Sequence, residues 1–221
     1  MIARIFRRIR RMISGQPKSL IFSNSSQYWE DRYNIGSNSG AGSYGKLARF
    51  KADVLNDFVL KHGINSVVEY GCGDGAQLEL ANYPEYTGFD VSPRAVTICR
   101  EKLSGRLNCQ FFETKIFLEK EGSFDLALSL DVIYHLIEDD VFDAYMKRLF
   151  AASKNFVIIY SNNIDKKFDA PHVRGRKFTL WCDEHAKDWS LYQVIENLYP
   201  YDPAAPNDTS HSDFYIYKRA A

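Results

Sequence analysis

Ser66-Val67-Val68-Glu69-Tyr70-Gly71-Cys72-Gly73-Asp74-Gly75, with Phe89-Asp90-Val91-Ser92 downstream, decides the fold of this chain. The first five residues read as a short buried strand. Glycines at 71, 73 and 75 read as a turn whose backbone takes positive φ and lets a ligand approach closely. A helix is expected next, aiming its free N–H groups at the same spot. Asp90, fifteen residues past Gly75, falls where a second parallel strand delivers an acid to a ribose diol. These residues imply a pocket for a nucleoside-bearing cofactor.

Working outward, Leu47–Leu60 has helical periodicity and His62-Gly63 stops it. Ser92 caps a helix with Pro93 at its first position, running to about Leu103. Further strands are expected at Cys109–Glu113, Phe124–Leu130 and the almost wholly apolar Asn155–Tyr160. Asp139 or Asp140 is expected to cap a helix to about Phe150, and Lys177–His185 reads as another helix. Leu191–Leu198 and Asp213–Lys218 read as closing strands joined by a Pro-rich turn. Alternating strands and helices without a repeat give a doubly wound α/β domain.

That domain is expected over 19–221: an N-terminal helical cap and lid loop (19–62), a cofactor-binding core (63–160), and a substrate loop with the closing strands (161–221). Residues 1–18 are a separate segment, holding six basic residues and no acid. The remainder carries 22 bases against 28 acids, a net charge of −6, which argues against a nucleic-acid binder. Within 1–13, Ile2, Ile5, Phe6, Ile9, Met12 and Ile13 recur at helical spacing opposite arginines. Such a segment lies on an anionic membrane surface, packs on a partner or on its own domain, or is a frayed terminus. No stretch approaches the roughly 20 apolar residues of a membrane span. Cys72, Cys99, Cys109 and Cys182 lack paired or metal-ligand spacing and read as buried thiols of a reducing cytoplasm. The expected location is cytoplasmic, with the inner face of the membrane open as a site of work.

Gly71-x-Gly73-x-x-Ala76 also satisfies the dinucleotide fingerprint, so the glycines alone leave a nicotinamide oxidoreductase open. Two details point away from it. Glu69 stands on the strand two residues before Gly71, suiting a cationic ligand better than a pyrophosphate. Between Gly75 and Pro84 there is no Arg or Lys for phosphates.

Glu69-x-Gly71-x-Gly73-x-Gly75 resembles the first motif of the class I S-adenosylmethionine-dependent methyltransferases, and Asp90 is similar to their ribose-binding acid. Ser129-Leu130-Asp131-Val132-Ile133-Tyr134-His135-Leu136 resembles the segment ending their fourth strand, beside the transferable methyl. The resemblance covers about residues 50–160. It implies a mostly parallel, seven-stranded Rossmann-like sheet with a reversed last strand. It also implies S-adenosyl-L-methionine as cofactor, held by Glu69, Gly71, Gly73, Gly75, Asp90 and Asp131. An acid for the adenine amino group is expected after the third strand, with Glu113 favoured over Thr114.

Methyl transfer to a hydroxyl needs a base, and such groups belong at the carboxyl ends of strands. His135 is the expected base, since imidazole titrates near working pH. Asp131 either acts in the chemistry or orients the loop and the cofactor's methionine end, and Tyr134 is a catalytic candidate that otherwise only walls the pocket. Tyr28, Trp29 and Tyr33 are expected to close over the site, with Ser39–Gly45 as a moving loop. His172, Arg174 and Arg176 are candidates for an anionic acceptor such as a sugar phosphate. No metal constellation is legible, since Asp139 and Asp140 read as caps. The expected function is methyl transfer to a small-molecule or glycan acceptor, with oxygen favoured. A cofactor-binding scaffold without catalysis is the rival from another class.

Overall fold

The computed structural model describes residues 21–115 and 124–220, so the basic segment 1–18 lies outside the described residues. Helix α1 (Ser25–Asn34) is started by Asn24, whose side-chain oxygen accepts from the Gln27 N–H at 2.8 Å. Helix α2 (Gly45–Lys61) turns Leu47, Ala48, Ala52, Leu55, Phe58 and Val59 inward, and Lys51 with them. Then follow β1 (Ser66–Tyr70), β2 (Glu85–Asp90), α3 (Pro93–Lys102), β3 (Cys109–Glu113), β4 (Phe124–Leu130), α4 (Asp139–Ala152) and β5 (Ser153–Ser161). The chain closes with α5 (Phe178–His185), β6 (Trp189–Ile195) and β7 (Asp213–Arg219).

The seven strands form one sheet in the order β3-β2-β1-β4-β5-β7-β6. β1 pairs in parallel with β2 and β4, β4 with β5, and β2 with β3; β7 runs antiparallel between β5 and β6. Strand side chains alternate between faces, so Val67, Leu126, Leu128 and Ile158 pack with α2 and α3. Val68, Ala127, Val157 and Ile159 pack with α4 and α5 on the other face. The strand order reverses between β1 and β4, and a ligand crevice opens at such a point beyond the carboxyl ends of the strands.

Two local expectations are corrected. No α-helix follows the glycine turn. Between Gly75 and β2 the chain makes only a 3₁₀ turn, Leu78–Leu80, because Ala81 is already extended and leaves too few residues for a helix. Neither Asp139 nor Asp140 caps α4: both stand in its first turn, behind Glu138 at the cap position.

Candidate active site

At the carboxyl ends of β1, β2 and β4 lies a cleft with about 890 Å³ of empty space, its open mouth included, within the range of small-molecule sites. Its floor is the glycine turn. A Cβ on Gly71 (φ +89°) would stand 2.4 Å from Val132 Cγ2, and one on Gly73 (φ +58°) 2.3 Å from Ser39 Oγ. Gly71 and Gly73 line the cleft, whereas Gly75 faces inward, to Cys99 and Leu103.

Two buried carboxylates face this turn. Glu69, the fourth residue of β1, accepts a hydrogen bond from the Tyr86 hydroxyl at 2.7 Å. Burial pushes its pKa from 4.5 up to about 7, against the opposing pull of the Tyr86 hydrogen bond and the nearby Lys51 charge. Asp90, ending β2, accepts from the Gly73 N–H and the Ser92 N–H, each at 2.9 Å. Burial raises it to about 6, even with these backbone donors favouring the charged form. Ser92 does cap α3, its hydroxyl accepting from the Ala95 N–H, and it donates in turn to Glu30 of α1.

The end of β4 supplies the opposite wall. Asp131 sits in the left-handed region (φ +60°), where a side-chain-bearing residue is strained. Its carboxylate takes the Lys51 ammonium at 2.6 Å and the Tyr134 hydroxyl at 2.9 Å. Tyr134 is thereby turned onto Asp131 and is not among the residues lining the cleft. His135 does line it. Its Nδ1 lies 2.8 Å from the His172 carbonyl oxygen, which only accepts, so Nδ1 carries the proton and Nε2 is left as an acceptor. Burial lowers the imidazole pKa from 6.5 to about 4, so the ring is neutral at working pH. Trp29 meets it edge to face at 4.9 Å between centroids.

The cap closes the cleft from above. Asp74 fastens the loop before α2 by accepting from the Ser39 N–H, the Ser39 hydroxyl and the Tyr44 hydroxyl, at 3.1, 2.8 and 2.7 Å. Burial pushes the Asp74 carboxyl up, but these bonds outweigh it and hold its pKa below the usual value. Trp29 and Tyr33 line the cleft, the latter with its hydroxyl 3.0 Å from Ser39 Oγ.

Other expected residues lie elsewhere. Tyr28 is buried against His172, with stacked rings 4.3 Å apart, and neither lines the cleft. Arg174 is spent on the Ile137 carbonyl and on Asp139, and Arg176 on Asp139 and the carbonyls of Leu136 and Ile137. They brace the start of α4 and do not line the cleft. At the end of β3 it is Thr114, not Glu113, that lines the cleft. Lys51 was missed: it is a cation fully buried in the wall.

Residues 67–155 match the family model described as a methyltransferase domain. No curated protein matches the sequence. Among solved structures, the N-methyltransferase NodS from Bradyrhizobium japonicum with S-adenosyl-L-homocysteine superposes with TM-score 0.68 at 17% identity, over 90% of this chain and 100% of that one. Magnesium protoporphyrin IX methyltransferase from Synechocystis gives 0.59 at 16% identity, over 99% of this chain and 95% of that one. The methyltransferase domain of a bacterial Hen1 gives 0.61 at 18% identity, over 79% and 100%. At such identities these structures speak for the fold.

Proposed function

We propose that this chain, which carries a class I S-adenosylmethionine-dependent methyltransferase domain, methylates a hydroxyl oxygen of a small uncharged molecule or glycan. The family match decides between the two cofactors that the glycines alone left open. The cleft suits that donor: two buried carboxylates flank a floor that admits no side chain, since a Cβ on Gly71 or Gly73 would strike Val132 or Ser39. Glu69 is placed for the donor's ammonium and Asp90 for its ribose hydroxyls, while Gly71 and Gly73 clear room beneath the methionine portion. When bound, S-adenosylmethionine supplies a methyl on a sulfonium, so the acceptor O–C bond forms as the S–C bond breaks and S-adenosylhomocysteine departs.

The observation that carries the oxygen assignment is the tautomer of His135. With Nδ1–H donated to the His172 carbonyl, Nε2 is the group that takes the hydroxyl proton. Burial takes the ring out of the working-pH range in which it was expected to titrate and leaves a weak base with a pKa of about 4. The hydroxyl proton becomes strongly acidic as carbon bonds to its oxygen, so transfer late in the step needs little basicity. The uncharged acceptor follows from the wall: Trp29, Leu136 and Val141 line it, and its lysine is already paired with Asp131.

Incubation with methyl-labelled donor and acceptors bearing both hydroxyl and amino groups tests this, the product being read by NMR. A methyl ether is expected, with turnover falling more than tenfold in His135→Ala while S-adenosylhomocysteine affinity holds. An N-methyl product formed at an unchanged rate in His135→Ala would overturn the oxygen assignment, since a neutral amine attacks without a base.

A further inference from the structure

Lys51 is the one buried lysine among the described residues, and it points from the core-facing stripe of α2 into the donor end of the cleft. Its ammonium is 2.6 Å from Asp131 Oδ2 and 5.2 Å from the centre of the Tyr160 ring. Asp131 holds three walls together. Its own backbone is left-handed, the next residue, Val132, covers Gly71, and its Oδ2 leaves only 2.8 Å for a Cβ at Gly42 of the lid loop. Desolvating a lysine and a carboxylate is costly unless they pair closely, and removing one partner strands the other. We propose that Lys51 is a positioning residue of the donor site: its ammonium holds the Asp131 carboxylate in this strained turn and supplies the positive charge beside Glu69.

Among the described residues, the titratable groups around the pair and Glu69 are acids, phenols, the neutral imidazole and a thiol, and Cys72 of the glycine turn, Tyr83 before β2 and Tyr145 of α4 all act on Glu69. Glu69 comes from β1, Tyr86 and Asp90 from β2, Tyr160 from β5, and Tyr134 and His135 from beyond β4. Lys51 is the charge that draws Glu69 downward, against its burial and the two aspartates. Burial sets the pH at which Glu69 becomes available to a cationic ligand, and Lys51, after the Tyr86 hydrogen bond, brings that pH down. The inference rests on S-adenosylmethionine binding in this cleft.

The test is calorimetric titration with S-adenosylhomocysteine from pH 5.5 to 8.5, on wild type, Lys51→Met, Lys51→Arg and the double variant Lys51→Met/Asp131→Asn. Binding by wild type tests the cofactor reading separately, since a wild type that binds nothing sinks that reading before Lys51 is judged. Lys51→Met is expected to weaken binding at least tenfold at pH 7 and to move the midpoint of its pH dependence upward by about one pH unit. Lys51→Arg should restore the wild-type midpoint, and the double variant should recover the thermal stability lost in Lys51→Met. Should Lys51→Met not fold, Lys51→Gln, which removes the charge but keeps a hydrogen-bond donor for Asp131, carries the midpoint measurement. A midpoint unmoved by loss of the lysine, whatever the affinity, would mean that Lys51 only fills space and would overturn the inference.

Discussion

With the donor's ammonium at Glu69, as proposed, binding is pH-dependent by an amount that follows from the structure. Burial sets its pKa at about 7 against an ordinary 4.5. A ligand ammonium at the carboxylate replaces the missing solvation and favours the charged form, so binding draws the proton off. With a pKa of about 7, roughly one free molecule in eleven has Glu69 ionised at pH 6, and roughly ten in eleven at pH 8. Affinity for S-adenosylhomocysteine should therefore rise about tenfold over that interval, equivalent to about 1.4 kcal/mol, with about half a proton released per binding event at pH 7. Asp90, at about 6, adds roughly a further factor of two near its own pKa. Titration in two buffers of different ionisation enthalpy reads both quantities. Glu69→Gln should weaken binding at pH 8 and flatten the profile to the small part left to Asp90. A wild-type affinity constant within twofold from pH 6 to 8, or a Glu69→Gln variant as steep as wild type, would show that Glu69 does not meet the ligand's ammonium.

The raised pKa also carries a stability sign. Between pH 4.5 and 7 the unfolded chain releases the Glu69 proton while the folded one keeps it, so folding loses stability as pH rises through that window. Glu69→Gln should thus melt higher than wild type at pH 8 and equal to it near pH 4.5, as followed by circular dichroism. His135 works the other way: its lowered pKa costs stability as pH falls from 6.5 toward 4, and His135→Ala should remove that part of the acid sensitivity. Gly73→Ala places a Cβ 2.3 Å from Ser39 Oγ at φ +58°, and should cost about 1–3 kcal/mol in denaturant unfolding. It should also expose residues 37–44 to protease, and an intact lid in that variant would disprove the packing argument.

Much of this fold is legible in the sequence because neighbouring residues impose it. Val67 and Val68 sit on opposite faces of β1 and feed the two core layers, as strand periodicity requires. Ser92-Pro93 starts α3 by capping chemistry that any solvent or partner would leave in place. The site is less legible because it is assembled from distant pieces. Lys51 did leave a signal, falling with Leu47, Ala48, Ala52 and Leu55 on the apolar stripe of α2, where an unpaired lysine would be costly. Its partner, eighty residues away, has no local mark. Arg174 and Arg176 read as free cations until the fold delivers Asp139 and the carbonyls of 136 and 137 to them. The helix expected after Gly75 failed for want of length.

That missing helix bears on which ligand the turn accepts. Phosphate-binding turns present free N–H groups from the loop and the first turn of a helix. Here the N–H groups of Gly71 and Cys72 go to the Phe89 carbonyl, and that of Gly75 to the Cys72 carbonyl. Gly73 donates to Asp90, Asp74 to Ser39 Oγ, and Ala76 to the Asp74 carboxylate. Every donor from 71 to 76 is therefore used within the protein, two of them by carboxylates that a pyrophosphate would have to face. What remains directed at the cleft is acceptor capacity, from Glu69 and from the unfilled lone pairs of Asp90. A floor that keeps its donors and offers its acids takes an ammonium and a diol in preference to a phosphate. The same run of residues that satisfies a dinucleotide fingerprint in sequence is thus left, through Asp74 and Asp90, with no free N–H for a phosphate.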